Sequence, residues 1–260
     1  MLRKLKLTAM CICMLLPLGM SGCGSAEKNV TSSAGTVSES EISQKNEENT
    51  GEIGETSAPV LLYQGHASIR IVTAEGKVIY IDPYAGDGYD MAADLILVTH
   101  AHSDHNQIDK VTNRNDGCRV ITQQDALKNG ICQSFDLSFV NVEAVKIGGN
   151  KFHKDSECVG YILTFSNEKS VYVTGDTSIS KQMSELAVKN IDYAFFCCDG
   201  VYNMGLEEAA ECASMVDAKH SIPYHITTDS SGKIFDRELA EQFDVDNRLI
   251  VEPREEITIE

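Results

Sequence analysis

Four side chains able to bind a metal stand within six positions of this chain, in the run His100-Ala-His102-Ser-Asp104-His105. Neutral imidazole together with carboxylate suits zinc or a similar divalent cation. His100 and His102 are two apart, so an extended backbone points them the same way. Asp104 and His105 follow where the chain must turn, which lets them face a second position nearby. The spacing reads as parts of two adjacent metal sites. The plain alternative is a surface loop that happens to be rich in histidine. Against it stands the apolar run Leu95 to Val98 directly before the cluster, which reads as a short buried strand.

A two-metal site needs further ligands from distant segments, and the chain has only seven histidines. His153 sits in Lys151-Phe-His-Lys154, ahead of a strand-like run from Val159. His220 and His225 flank Ser-Ile-Pro-Tyr; His225 is the stronger candidate and His220 the more structural one. His66 lies in Gly65-His-Ala-Ser68. The run Val171-Tyr-Val-Thr-Gly175-Asp176-Thr177 reads as a buried strand that releases an aspartate at a glycine turn. A carboxylate so placed is suited to bridge two cations. Gly-x-Ser-x-Gly, the P-loop and the dinucleotide fingerprint are all missing from the sequence, which removes the main competing enzyme classes.

The order H-x-H-x-D-H, a lone histidine, Gly-Asp-Thr and a late Pro-x-His resembles the metallo-β-lactamase-fold hydrolases. More narrowly, Gly65-His-Ala-Ser, Ile81-Asp-Pro, Gly160-Tyr-Ile, Gly175-Asp-Thr and Ile222-Pro-Tyr-His225 are similar to the branch that contains ascorbate 6-phosphate lactonase. The resemblance runs from about Val60 to the C-terminus. It implies an α/β (α+β) chain folded as a four-layer αβ/βα sandwich, with two divalent metals at one edge of the sheets. Zinc is the expected metal, with manganese or iron as alternatives. Carried over by position, His100, His102 and His153 would bind the first metal. Asp104, His105 and His225 would bind the second, and Asp176 would bridge. The segment Val145 to Asn150 departs from the family's usual approach to His153. Aspartate rather than cysteine at 176 favours lactone, other ester or phosphoester cleavage over β-lactam cleavage.

The resemblance also implies a mechanism. Two divalent ions would lower the pKa of a bridging water to give hydroxide near neutral pH, and Asp104 would orient that nucleophile and pass a proton to the leaving group. Asp82 and His66 are candidates for positions just behind the ligands. Asp82 would accept from a ligand imidazole or simply cap the turn before Pro83. His66 is either structural or a substrate contact. Asp199-Gly200 and Tyr202-Asn-Met204 read first as turn geometry.

The elements that must position these residues follow from the apolar patterning. Three strand-like runs, Val60 to Tyr63, Ala67 to Val72 and Lys77 to Asp82, precede the metal cluster. Asp104 to Val111 could start a helix. Short strands are expected at Arg119 to Thr122 and Leu137 to Val142. A hairpin follows, Val159 to Phe165 with Ser170 to Val173. Helices are expected at Lys181 to Lys189, Leu206 to Val216 and near Arg237 to Phe243. Further strands are expected at Asp192 to Cys197, His220 to Pro223 and Leu249 to Val251. Two packed sheets with helices outside account for this order.

The N-terminus differs in kind. Residues 1–22 resemble a signal peptide, with Arg3, Lys4 and Lys6 before the apolar run Leu7 to Leu18. Met20-Ser-Gly-Cys23 resembles a bacterial lipobox, so Cys23 is the expected lipidation site and the membrane a partner through that lipid. Residues 23–59 have almost no large apolar side chains and read as an acidic, Ser-rich tether. The folded domain is expected at 60–260, outside the cytoplasm. A net charge of −17 argues against phosphate-backbone binding, so a small-molecule substrate is expected and nucleic acid is not. Nine cysteines include no zinc-finger spacing; a disulfide is open, and Cys197 and Cys198 read as core. Two rivals remain: a metal-binding or sensing lipoprotein without turnover, and a phosphodiesterase or nuclease of the same fold.

Overall fold

The computed structural model describes residues 58–260. The signal peptide, Cys23 and nearly all of the tether lie outside the described residues. In chain order the strands are β1 (Val60–Gly65), β2 (Ser68–Val72), β3 (Val78–Ile81), β4 (Ala93–Leu97) and β5 (Arg114–Ile121). A one-turn helix α1 (Gln123–Ala126) leads to β6 (Leu127–Lys128), β7 (Ile131–Cys132), β8 (Ser134–Leu137) and β9 (Val140–Lys146). Then come β10 (Val159–Thr164), β11 (Ser170–Val173), β12 (Tyr193–Cys197), helix α2 (Leu206–Val216), β13 (His220–Tyr224), helix α3 (Arg237–Ala240) and β14 (Glu256–Thr258).

Two six-stranded sheets result, ordered β14-β1-β2-β3-β4-β5 and β13-β12-β11-β10-β9-β8. Each is antiparallel at one side and parallel at the other. The parallel pairs are β3 with β4 and β4 with β5 in the first sheet. In the second they are β11 with β12 and β12 with β13. Parallel neighbours end at the same edge, and that edge is where open α/β sheets bind ligands.

The sequence explains why β3 and β4 read as unbroken apolar runs. Ile79, Ile81, Leu95 and Leu97 enter the core between the sheets, where Tyr161, Leu163, Val171 and Phe196 also lie. Val78, Tyr80, Ile96 and Val98 face the other way, into a second apolar cluster with Tyr89, Met91, Ile108 and Val111. A strand buried on both faces loses its polar alternation. In the second sheet β12 is fully buried, and α2 packs on it. α2 buries Ala209, Cys212, Ala213 and Val216, the 3–4 spacing of one helical face.

The mixed sandwich matches the expected fold class, with five differences in detail, the first being that the strand expected over Leu137 to Val142 is split by the turn between β8 and β9. Asp104 to Val111 forms no α-helix; only Ile108–Lys110 makes a 3-10 turn, so loops rather than helices carry the outer cover of the first sheet. Asp104 and His105 are drawn into the cluster described below, and Gln107 N donates to Pro83 O at 2.9 Å, which holds the segment open. Lys181–Lys189 is helical but 3-10 throughout. Leu249 to Val251 is extended but not a strand, joined to β13 by one bridge between Ser221 and Arg248. The C-terminal Glu256–Thr258 instead pairs with β1, a short charged edge strand. All six described cysteines are free. Among the described residues no helix is long and apolar enough to cross a membrane.

Candidate metal centre

Five strand ends deliver the candidate ligands to one edge. Asp82 follows β3, His100 lies three residues past β4, Asp176 three past β11, Asp199 two past β12, and His225 follows β13. His66 sits just past β1, and His153 lies in the loop between β9 and β10.

The sheets are tied together where the ligands emerge. Tyr161 Oη donates to Val98 O at 3.0 Å, and Val159 N donates to Thr99 O at 3.0 Å. Gly175 adopts φ +64°, and a Cβ there would stand 3.0 Å from Thr99 Cβ. Only glycine meets both demands without strain, and its turn lays Asp176 beside His100. Gly175 N also donates to Tyr224 Oη at 2.8 Å, so the tyrosine before His225 positions the turn before Asp176.

The resulting cluster has two halves. Ligating atoms of His100, His102 and His153 lie within 4.8 Å of one another, as do those of His66, Asp104, His105 and His225. Asp176 stands between them. Its Oδ2 is 3.9 Å from His100 Nε2 and 3.3 Å from His153 Nε2. Its Oδ1 is 3.3 Å from His105 Nε2 and 3.5 Å from His225 Nε2. Ligand atoms arranged tetrahedrally at about 2.0–2.1 Å from a zinc ion lie about 3.3 Å apart. The spacing and the donor set therefore fit a divalent cation in each half. Orphaned atoms give the same answer: His100 Nε2, His105 Nε2, His225 Nε2 and Asp176 Oδ1 are buried without a hydrogen-bond partner. Buried polar atoms left so are costly unless something occupies the space between them.

Asp82 does more than cap a turn. Its carboxylate accepts from Thr99 N at 2.8 Å, Thr99 Oγ1 at 2.7 Å and His105 Nδ1 at 2.8 Å. With the Thr99 hydroxyl proton given to Asp82, His100 Nδ1–H donates to Thr99 Oγ1 across 3.1 Å. Both rings thus keep their second nitrogen, Nε2, aimed into the cluster. One buried carboxylate sets the tautomer of a histidine in each half.

His66 is buried and turned away from solvent. Its Nε2 is 3.2 Å from Asp104 Oδ2, and its ring centroid is 3.7 Å from that of His225. His66 therefore belongs to the second half of the cluster and not to a substrate-facing wall. Asp199 makes the expected turn, accepting from Val201 N and Tyr202 N. Sequence reasoning missed its second place, with Oδ2 3.6 Å from His225 Nδ1; a strand-end aspartate level with Asp82 and Asp176 was the available signal. His220 is remote from the cluster, exposed and stacked on Tyr193.

Burial and neighbouring charge split the histidines. Burial holds His100 well below its usual range, and the His105 charge adds to this. Burial likewise lowers His153. Burial would also lower His105, but the Asp176 and Asp82 carboxylates outweigh it and hold that ring well above 6.5. His225 is raised in the same way, by Asp176 and Asp104 against burial. Burial opposes ionisation of Asp104, and hydrogen bonds from His225 and His66 overcome it, keeping the carboxylate ionised.

A cavity of about 430 Å³ opens over the cluster, lined by His102, Asp104, Lys151, Phe152, His153, Asp176, Tyr202, His225 and Thr228. This volume suits a small molecule.

Comparison with known proteins agrees with this geometry. Residues 60–225 match the family model described as a β-lactamase superfamily domain. A UPF0173 metal-dependent hydrolase of Ligilactobacillus salivarius is 30% identical over 193 residues, covering 65% of this chain and 85% of the relative. Another, from Bacillus cytotoxicus, is 28% identical over 193 residues, covering 64% and 85%. Among solved structures, Igni18, a metallo hydrolase from Ignicoccus hospitalis, superposes with a TM-score of 0.58 at 20% identity, covering 78% of this chain and 99% of that one. That likeness speaks for the fold alone. On the family match and the shared sequence, the chain belongs to the β-lactamase superfamily, in its UPF0173 family of metal-dependent hydrolases.

Proposed function

We propose that the chain is a dinuclear metal-dependent hydrolase that cleaves a lactone, other ester or phosphoester. The observation that carries this reading is Asp176, whose two oxygens face different histidine groups. His100, His102 and His153 with Asp176 Oδ2 would hold one cation. Asp104, His105 and His225 with Asp176 Oδ1 would hold the other. Zinc fits the nitrogen-rich donor set, with manganese or iron as alternatives. A bound pair supplies an activated water and a Lewis acid for the scissile group.

The chain's own residues do the rest. Asp82 and Thr99 hold His100 and His105 in the tautomers that face inward. Asp104 borders the cavity, where its ionised carboxylate would orient the attacking water and pass a proton to the leaving group. Its Oδ2 is held by His66 Nε2 at 3.2 Å. No serine or cysteine nucleophile is required, and Cys197 and Cys198 are fully buried core residues.

The motifs Gly65-His-Ala-Ser68 and Ile222-Pro-Tyr-His225 favour the branch that contains ascorbate 6-phosphate lactonase. On the N-terminal pattern we place the enzyme outside the cytoplasm, anchored through a lipid on Cys23. The test is metal analysis of the purified protein together with a panel of lactone, ester and phosphodiester substrates. Wild type should carry about two equivalents of metal and hydrolyse at least one class, while Asp104→Ala should lower turnover by about a hundredfold or more. Protein without stoichiometric metal, or undiminished hydrolysis by Asp104→Ala, would sink the proposal.

A further inference from the structure

The loop that carries His153 also presents two side chains the chemistry does not use. Lys151 and Phe152 line the cavity beside the ligands, together with Tyr202 and Thr228. Phe152 and Tyr202 stand edge to face, ring centroids 5.0 Å apart. Both are partly exposed although large and apolar. Lys151 Nζ lies 4.5 Å from the centroid of Phe152.

Lys151 differs from the lysines around it. Lys146 pairs with Asp155 and Lys154 with Glu157. Lys151 makes no ion pair among the described residues, in a chain whose net charge is −17. Among the described residues it is the one lysine or arginine that lines the cavity. An acidic protein that leaves one cation unpaired at the mouth of its cavity has a positive spot ready for a ligand's anion.

The loop is held rather than loose. Asn150 Oδ1 accepts from Phe152 N and His153 N, each at 2.8 Å. Asn150 Nδ2 donates to Tyr202 O at 3.2 Å and Ser178 Oγ at 3.3 Å. Gly148 turns with φ +99°, and a Cβ there would meet His153 O at 2.9 Å. One asparagine therefore fixes the backbone of His153, the place of Phe152 and the segment of Tyr202.

We infer that Lys151, Phe152 and Tyr202 form the specificity subsite, and that the substrate carries an anionic group, carboxylate or phosphate, on a flat or apolar body. The scissile bond lies over the ligand cluster, the body packs against the Phe152–Tyr202 pair, and the anion reaches Lys151. This rests on the hydrolase reading for the scissile bond, but the anion subsite itself does not.

Two measurements test it on zinc-loaded protein. The first is the ratio of kcat/KM for mono-p-nitrophenyl glutarate to that for neutral p-nitrophenyl butyrate. Lys151→Gln should lower this ratio about fivefold, as loss of a partly exposed ion pair would, and Lys151→Arg should restore most of it. The second is calorimetric binding of 3-phenylpropionate and of uncharged 3-phenylpropanol. Lys151→Gln should weaken the acid more than the alcohol by the same factor, and Phe152→Ala should weaken both. A parallel set with phenyl phosphate distinguishes phosphate from carboxylate as the preferred anion. If Lys151→Gln changes charged and uncharged ligands equally, or neither, the subsite is wrong. If wild type hydrolyses no ester, the hydrolase reading fails, and the binding arm alone decides the role of Lys151.

Discussion

Protons and cations compete for the same nitrogen atoms here, and the two halves of the cluster differ in how they meet that competition. Burial lowers His100 and His153, so these rings are already neutral at pH 7 and ready to ligate. His105 and His225 are raised above 6.5 by their carboxylate neighbours, so in metal-free protein they keep protons that a cation must displace. Binding at the His105–His225 half therefore releases protons, and its affinity rises with pH through and above neutrality. The His100–His153 half should stay loaded to lower pH. Zinc titrations followed by calorimetry in buffers of different ionisation enthalpy should resolve two classes of site, with the greater proton release at the His105–His225 half. A single class without proton release would contradict the assignment. The sequence alone carried much of this residue-level picture. Every proposed ligand reaches the cluster: His100, Asp176 and His225 follow strands that their apolar runs had marked, while His102, Asp104, His105 and His153 come from the loops after β4 and β9. Three relations were not legible. Asp199 was expected to shape a turn, and its place beside His225 was unforeseen. The contact of Asp82 with a ligand imidazole was expected and is met at His105, but its reach to His100 through Thr99 is a relation that spacing does not encode. His66 touches Asp104 across 38 positions, which only the fold brings together.

At the scale of the element, the strand ends pay for their convergence in backbone strain. His66, Asp82 and His225 follow β1, β3 and β13 with φ of +52°, +46° and +44°. Such values are uncommon outside glycine and gather at functional sites. Backbone bonds hold all three: His66 N donates to Ile234 O at 2.7 Å, Asp82 N to Leu97 O at 2.9 Å and His225 N to His66 O at 2.9 Å. Gly175 handles the same turn at β11 without that cost, at the price of leaving no room for a Cβ. Replacing it with alanine should destabilise the fold by about 2 kcal/mol, read as a lower denaturant midpoint. Zinc affinity should fall as well, because Asp176 moves with the turn. Stability unchanged within error would show that the approach of Thr99 is slack. Elements of strong period, such as α2 and the β10–β11 hairpin, were readable from sequence. β14 was not, since three residues of Glu-Ile-Thr carry too little pattern to stand out from a tail. The expected helix after the metal cluster failed because its first residues serve the site and not a helical face.

For the molecule as a whole, the cluster links the two sheets across the edge where both parallel halves end. Cations that bind only the native arrangement must stabilise it by mass action. At a hundredfold excess over the dissociation constant the gain is about 2.7 kcal/mol, or roughly 5–10 °C in Tm for a domain of this size. Thermal unfolding with zinc and after chelation should differ by that amount, and the difference should shrink in Asp176→Ala. Equal melting temperatures would mean that the ions do not join the sheets.

The order of the strand ends along the chain has a further consequence. The first histidines of the cluster are made early and His225 close to the end, so no partial polypeptide holds a complete set of donors. A chain interrupted before β13 would lack His225 for the second half of the cluster and also β14, the strand that completes the first sheet. Occupation of the second half therefore depends on β13 having docked, whereas the donors of the first half are complete once Asp176 has been made.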